Sequence, residues 1–249
     1  SDKDPSGKYK AYAPYLRRLL AAARAVTVST PQLANHLANV NEHVHLVPNR
    51  LSDPVWRGYS EAREPDGFVR ALYFGSVTHR KDLAMIQPAI EAIIARHPNF
   101  RLAVVGVQNE PMPDWAERII VPIGAVNYGY FVPWLREQTK AFDFALAPLV
   151  DTTFNQHKSG LKAMEGTALG LPVLASNVAS FQEMTADLES LTLVDNDTKA
   201  WAAAIETAID QVESNRSKRD VIKKSALAAY GMRDNIPQYD ALILDIMNR

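Results

Sequence analysis

Apolar residues along this chain recur with two different spacings. Short, mostly apolar runs alternate with longer stretches in which apolar residues return every three or four positions. Runs of the first kind, 69–74, 100–107, 119–123, 142–148, 173–175 and 191–194, are expected as strands buried on both faces. Stretches of the second kind, 82–96, 131–140 and 199–212, are expected as helices between them. Strand and helix taking turns in this way predict an α/β fold, a parallel sheet with helices on both faces. Ahead of it, an amphipathic helix at 9–24 carries Arg17, Arg18 and Arg24 around a tyrosine and leucine side. Packing with solvated arginines is the expectation there, a membrane or partner surface the alternative. Strands at 25–29 and 43–47 flank a helix that Thr30 caps and Pro31 opens, which makes a βαβ appendage. Pro54, Gly58, Pro65 and Gly67 mark a linker. The expected division is residues 1–50 as appendage, 51–67 as linker, 68–235 as main domain and 236–249 as a terminal helix, with 213–225 charged and solvated.

Polar chemistry gathers at 155–176. A helix from Ser159 puts Lys158, Lys162 and Glu165 on one face and Leu161, Met164 and Ala168 on the other. Ser159 is expected as its N-cap. Gly160 would let a ligand reach the backbone, so the helix start offers N–H groups and a positive dipole end to an anion, with Lys158 adding full charge. Glycine at 160 and 166 costs roughly 1 kcal/mol against alanine inside a helix, which suggests that something approaches the backbone there. Gly170 ends the helix and Pro172 precedes the strand. A surface ion pair between Lys162 and Glu165 is the bland alternative. A second glycine turn, Gly75 and Ser76 through Arg80 and Lys81, joins strand to helix and is a further phosphate-binding candidate.

Charge and composition narrow the partners. The net charge of −1 over 249 residues gives no overall pull toward nucleic acid, and cysteine is absent, which excludes disulfides and thiolate metal sites. No apolar run approaches the roughly 20 residues of a membrane-spanning helix, and the expectation is a cytoplasmic chain. No metal is expected. His43 and His45 alternate without a third ligand nearby, and Asp197 of the Asp-Asn-Asp run reads as a helix cap.

The run Gly170-Leu-Pro-Val-Leu-Ala-Ser176 after Glu165, with Lys158, Ser159, Lys162 and Glu165 in a Lys-Ser-x-x-Lys-x-x-Glu pattern, resembles the C-terminal, donor-binding domain of GT-B glycosyltransferases of the group 1, or family 4, type. His157 stands where many members have a first glutamate. The resemblance implies one Rossmann-like half of a GT-B enzyme, of hexosyltransferase type, that binds a UDP- or GDP-linked sugar without a further cofactor. It implies that Glu165 meets the ribose hydroxyls, and that Lys158 with the backbone of Ser159 and Gly160 meets the diphosphate. Arg80 and Lys81 would stabilise the charge on the departing nucleotide, and the loop at Gly124 would pack on the base. Lys158, Arg80 and Glu165 are thus the catalytic expectations, with His157 touching sugar or phosphate or serving as a cap. Transfer would retain anomeric configuration without metal.

The stretch 25–31 and the run 46–49 are similar to the end of a GT-B N-terminal domain, so the acceptor-binding domain would be missing from this chain. The acceptor, whether glycan, lipid or protein, is not indicated, and exchange of residues 1–50 in a homodimer is a further option. Two rival readings are a non-catalytic nucleotide-binding or protein-interaction module of this fold and a sugar-nucleotide epimerase.

Overall fold

The computed structural model describes residues 8–58, 66–76, 79–106 and 112–248. Val77, Thr78 and Val107, and residues 59–65 of the expected linker, lie outside them. In the N-terminal unit, α1 (Lys8–Ala22) leads to β1 (Val26–Val28), α2 (Pro31–Leu37) and β2 (Val44–Leu46), and β1 and β2 pair in parallel. Thr30 caps α2 as expected, its side chain accepting from Leu33 N–H, with Pro31 in the first turn.

After α3 (Asp53–Trp56) come β3 (Val69–Phe74), α4 (Arg80–Arg96), β4 (Phe100–Val105) and β5 (Ala116–Ile119). The chain then runs through α5 (Tyr128–Gln138), β6 (Phe144–Ala147), α6 (Thr153–Gln156), α7 (Leu161–Ala168) and β7 (Val173–Ser176). It ends with α8 (Ala179–Gln182), β8 (Leu191–Val194), α9 (Thr198–Asp210), α10 (Val212–Ser217), α11 (Arg219–Tyr230) and α12 (Ile236–Asn248).

Strands β3 to β8 form one parallel sheet in the order β5-β4-β3-β6-β7-β8. The strand pleat sends alternate residues into two cores. Leu72, Phe74, Ala103 and Val105 face the core that holds α7 and α11, whereas Ala71, Tyr73, Leu102 and Val104 face the core under α4 and α9. Burial on both faces explains why the central strands read as mostly apolar runs. Phe100 and Phe144 stack at 6.2 Å in the second core.

Several elements depart from expectation. The edge strand is Ala116–Ile119 rather than 119–123. Pro122 has no N–H to give a ladder, and Ile123–Ala125 close into a 3-10 turn that leaves Ile123 92% exposed. The expected linker segment begins inside the core, where Leu51 and Trp56 are fully buried and Leu51 N–H donates to Tyr230 O at 2.8 Å. In the charged stretch 213–225, Ile222 is buried, and just ahead of α11 the Arg216 guanidinium reaches in to pair with Asp143 at 2.7 Å. Asp197 caps α9, accepting from the N–H groups of Lys199 and Ala200. Among the described residues no helix is long and apolar enough to cross a membrane, and no group of three or more His, Asp or Glu is placed to hold a metal ion.

Candidate active site

Strand order reverses between β3 and β6: from β3 the chain builds outward through β4 and β5, then returns to build β6, β7 and β8 on the other side. Loops leaving the carboxyl ends of β3 and β6 therefore diverge and leave a crevice, which is where ligands bind in doubly wound sheets. A cavity of about 760 Å³ opens there. Its floor is the end of β3 (Phe74, Gly75, Ser76) with Gly106 after β4, and its opposite wall is the start of α7. Gly106 takes φ +78, and a Cβ on it would stand 2.8 Å from Gly75 O, so only glycine lets these two strand ends lie so close.

Of the residues expected at the site, Gly75, Ser76, Lys158, Ser159, Lys162 and Glu165 line this one cavity. Lys158 Nζ lies 5.2 Å from the Phe154 ring centre. Lys162 Nζ lies 4.7 Å from the Tyr73 ring centre and donates to Tyr73 OH at 3.4 Å, bringing its charge beside Gly75. Glu165 is only 9% exposed, and Tyr128 OH donates to its Oε1 at 2.9 Å while accepting from Trp56 Nε1 at 3.1 Å. Burial pushes the Glu165 carboxyl up to about 7, against the opposing pull of the Tyr128 hydrogen bond and the Lys162 charge.

The others fall elsewhere. Arg80 and Lys81 form the first turn of α4, which starts two residues earlier than expected, and both are exposed and outside the cavity lining. Gly124 is exposed on the 3-10 turn, while its neighbours Val121 and Val126 line the cavity. His157 packs between α6 and α2: its Nδ1 donates to Thr153 O at 2.6 Å and its ring meets His36 edge-on at 5.3 Å. Ser159 is not the helix cap. That position is Gly160, and Ser159 Oγ instead accepts from Asn49 Nδ2 at 2.6 Å.

What approaches Gly160 is the protein itself, since a Cβ there would stand 2.1 Å from Met184 Sδ and 2.5 Å from Ser180 O. Gly166 likewise faces Val173, with Cγ2 at 2.8 Å from a Cβ. Neither glycine makes room for a ligand.

Sequence reasoning missed His79, Asp82, Tyr73 and Trp56. Asp82 is buried in the first turn of α4, where its two oxygens accept from His79 Nδ1 at 2.7 Å and from Val150 N–H at 2.9 Å. Burial raises its pKa, but these two donors and the Lys162 charge outweigh it and hold the carboxyl below its usual range. Histidine is not a preferred cap residue and His79 makes no side-chain cap hydrogen bond, so the pairing with Asp82 had no helix-start signature in the sequence. The pairing of Tyr128 with Glu165 is separated by 37 positions and has no local signature.

Sheet topology and crevice define a doubly wound α/β domain with a cavity bordered by Lys158 and Lys162 at its switch point. The pattern of the family described as "Glycosyl transferases group 1" matches residues 69–211, more than half of the chain, and the chain belongs to that family. It is 24% identical over 211 residues to a D-inositol 3-phosphate glycosyltransferase of Acidothermus cellulolyticus, covering 77% of this chain and 47% of that protein. The chain thus spans about half the length of the curated relative it matches.

Solved structures share the fold. Sucrose-phosphate synthase from Thermosynechococcus elongatus superposes with a TM-score of 0.63 at 19% identity, over 93% of this chain and 60% of that one. The Anabaena protein HepE in complex with UDP and glucose gives 0.64 at 13% identity, over 90% and 63%. These likenesses place the molecule among GT-B Rossmann-like halves.

Proposed function

We propose that the chain is the donor-binding half of a glycosyltransferase and holds a nucleoside-diphosphate sugar in the switch-point crevice. One observation carries the reading: two lysines, the start of α7 and the Gly75 turn border the same cavity as a buried carboxylate. Lysine charges and helix-start N–H groups suit a diphosphate, and a two-oxygen acceptor suits the vicinal hydroxyls of a ribose. On this reading Lys158 and Lys162 meet the phosphates and stabilise charge on the departing nucleotide, whereas Arg80 is exposed on α4 outside the cavity lining. Glu165 takes the ribose, and Val121, Val126 and Tyr128 offer an apolar wall to the base. Transfer with retention, without metal, onto an acceptor held by a second domain completes the proposal. The presence of UDP in HepE favours a uridine nucleotide as the first to test.

Calorimetric titration of UDP, GDP, UDP-glucose and GDP-mannose tests it, with Lys158→Ala and Glu165→Ala as controls. Each lost charge-assisted hydrogen bond should weaken donor affinity roughly 10- to 100-fold, as expected for about 1.5–3 kcal/mol, and EDTA should change nothing. Absence of binding, or variants that bind as well as the parent, would overturn the proposal.

His157 supports a second reading. Its imidazole is engaged by Thr153 and His36 rather than turned into the cavity, at the position where many members of the resembled family place their first glutamate. A module that binds the nucleotide without transferring sugar accounts for that substitution. Donor binding without transfer, even when a full-length relative's acceptor domain is supplied, would select it.

A further inference from the structure

His79 stands where the start of α4 meets the cavity, and nothing in the donor-site reading above uses it. It is the N-cap residue of a 17-residue helix, so the ring sits at the positive end of the α4 dipole. Asp82 fixes its tautomer: Nδ1 donates to Asp82 Oδ2 at 2.7 Å, and the other carboxylate oxygen is held by Val150 N–H. The second ring nitrogen, Nε2, has no hydrogen-bond partner among the described residues, and the ring lines the cavity with the side chain 17% exposed. The carbon beside it, Cδ2, lies 3.4 Å from where a Cβ on Gly75 would be.

The charged and titratable groups facing this ring come from three directions. Asp82 lies on its own helix, Lys158 and Lys162 approach from the α7 side, and Tyr73 comes up from β3 with its hydroxyl donating to His79 O at 3.1 Å. The Asp82 hydrogen bond draws the imidazole pKa up, but burial and the two lysine charges together bring it below the usual histidine value. Those surroundings favour the neutral ring, in which Nε2 is a lone pair and unsuited to a phosphate oxygen. An anion placed between the lysines reverses the balance: it cancels the charges that keep the proton away and gives an Nε2–H group an acceptor.

Resting on the donor-site reading, we propose that His79 is a ligand of the donor diphosphate and binds it as imidazolium, so that each donor bound takes up a proton from solvent at Nε2. Linkage then fixes the sign. Affinity is highest below the pKa of the free ring, falls as pH rises from there to the pKa of the complex, by at most about tenfold per unit for one proton, and is level above it.

The test is calorimetric titration of UDP-glucose and GDP-mannose, whose diester phosphates do not titrate near neutrality. It is run at about pH 7.5, one unit above the ordinary histidine value, in two buffers of contrasting ionisation enthalpy. The native chain should take up most of one proton per donor. His79→Gln keeps a hydrogen-bond donor but should bind with no uptake and with affinity flat in pH, and Asp82→Asn, which loosens the Nδ1 clamp, should bind with reduced uptake. Imidazole ¹⁵N spectra of the native chain give an answer independent of any variant: the His79 Nε2 resonance should move from the lone-pair to the protonated position when UDP-glucose is added.

Donor binding without uptake, uptake that persists in His79→Gln, or an unmoved Nε2 resonance would overturn the role of His79 and leave the donor site standing. Failure of the native chain to bind either donor would overturn both.

Discussion

Glu165 keeps a carboxyl where water barely reaches, and its protonation is the residue-scale handle on the whole cavity. The folded pKa of about 7 lies above the ordinary 4.5, because burial disfavours the anion more than Tyr128 and Lys162 favour it. A raised folded value means that the stability contribution is fully present below pH 4.5 and is lost as pH climbs through 7. That loss amounts to about 3 kcal/mol across the window. Thermal unfolding followed from about pH 4.5 to 8 should therefore show a decline that Glu165→Gln flattens. Tyr128→Phe acts in the opposite sense: it removes a hydrogen bond that stabilises the anion, so the carboxyl pKa should rise further. Carboxyl ¹³C shifts of Glu165 through a pH titration would register that change, and an unmoved midpoint would show that the Tyr128 contact carries no weight.

At the scale of elements, α7 shows how much of the site the sequence could announce. Its end and the strand after it were legible because each depends on local signals, and its apolar face only in part: Met164 and Ala168 join the core as expected, whereas Leu161 lines the cavity beside Lys162. Gly170 adopts φ +80 and closes a Schellman motif, Gly170 N–H reaching Thr167 O at 2.9 Å and Leu171 N–H reaching Gly166 O at 3.2 Å. The start of α7 was not legible. Whether Ser159 caps the helix or pairs with Asn49 is decided by a segment 110 positions away. The glycines were misread for the same reason, since a glycine needed for ligand approach and one needed for packing look alike in sequence. Edge strand β5 was displaced because the apolar residues at 119–123 serve the cavity mouth and the surface as well as the sheet.

Substitution separates the two kinds of glycine. Gly160→Ala forces a methyl against the Ser180 carbonyl and should cost roughly 3 kcal/mol in urea unfolding. Gly75→Ala meets only the tip of Lys162 and the edge of His79, at 3.3 and 3.4 Å. It should fold with near-parental stability yet weaken UDP-glucose binding several-fold by displacing the lysine. Equal losses of stability in the two variants would show that Gly75 is a packing glycine too.

Over the whole molecule, the N-terminal unit and the cavity are joined by few but specific links. Asn49, just after β2, holds Ser159 and the α2 cap Thr30 donates through Oγ1 to His157 O at 3.1 Å, which fastens the loop ahead of α7, while Gln32 of α2 pairs with Glu183 just after α8 at 2.8 Å. Past that unit the chain dives inward at Leu51, and α3 brings Trp56 under the cavity. Its indole N–H begins the relay that runs through Tyr128 to Glu165. Trp56 thereby connects the crossover between the two units to the carboxylate proposed to hold the ribose. Trp56→Phe keeps an aromatic ring in the core but removes the only polar atom of the indole, leaving Tyr128 OH to donate without accepting from Trp56. The variant should lose about 1–2 kcal/mol of stability, most of it from packing. If the relay orients Glu165, UDP-glucose affinity should fall by a further factor of about 3–10, the equivalent of one neutral hydrogen bond. Combining Trp56→Phe with Tyr128→Phe separates the two effects. Acting through one another, they should lower affinity together by scarcely more than Tyr128→Phe alone, whereas full additivity would mean that Trp56 supports the core and leaves the carboxylate untouched.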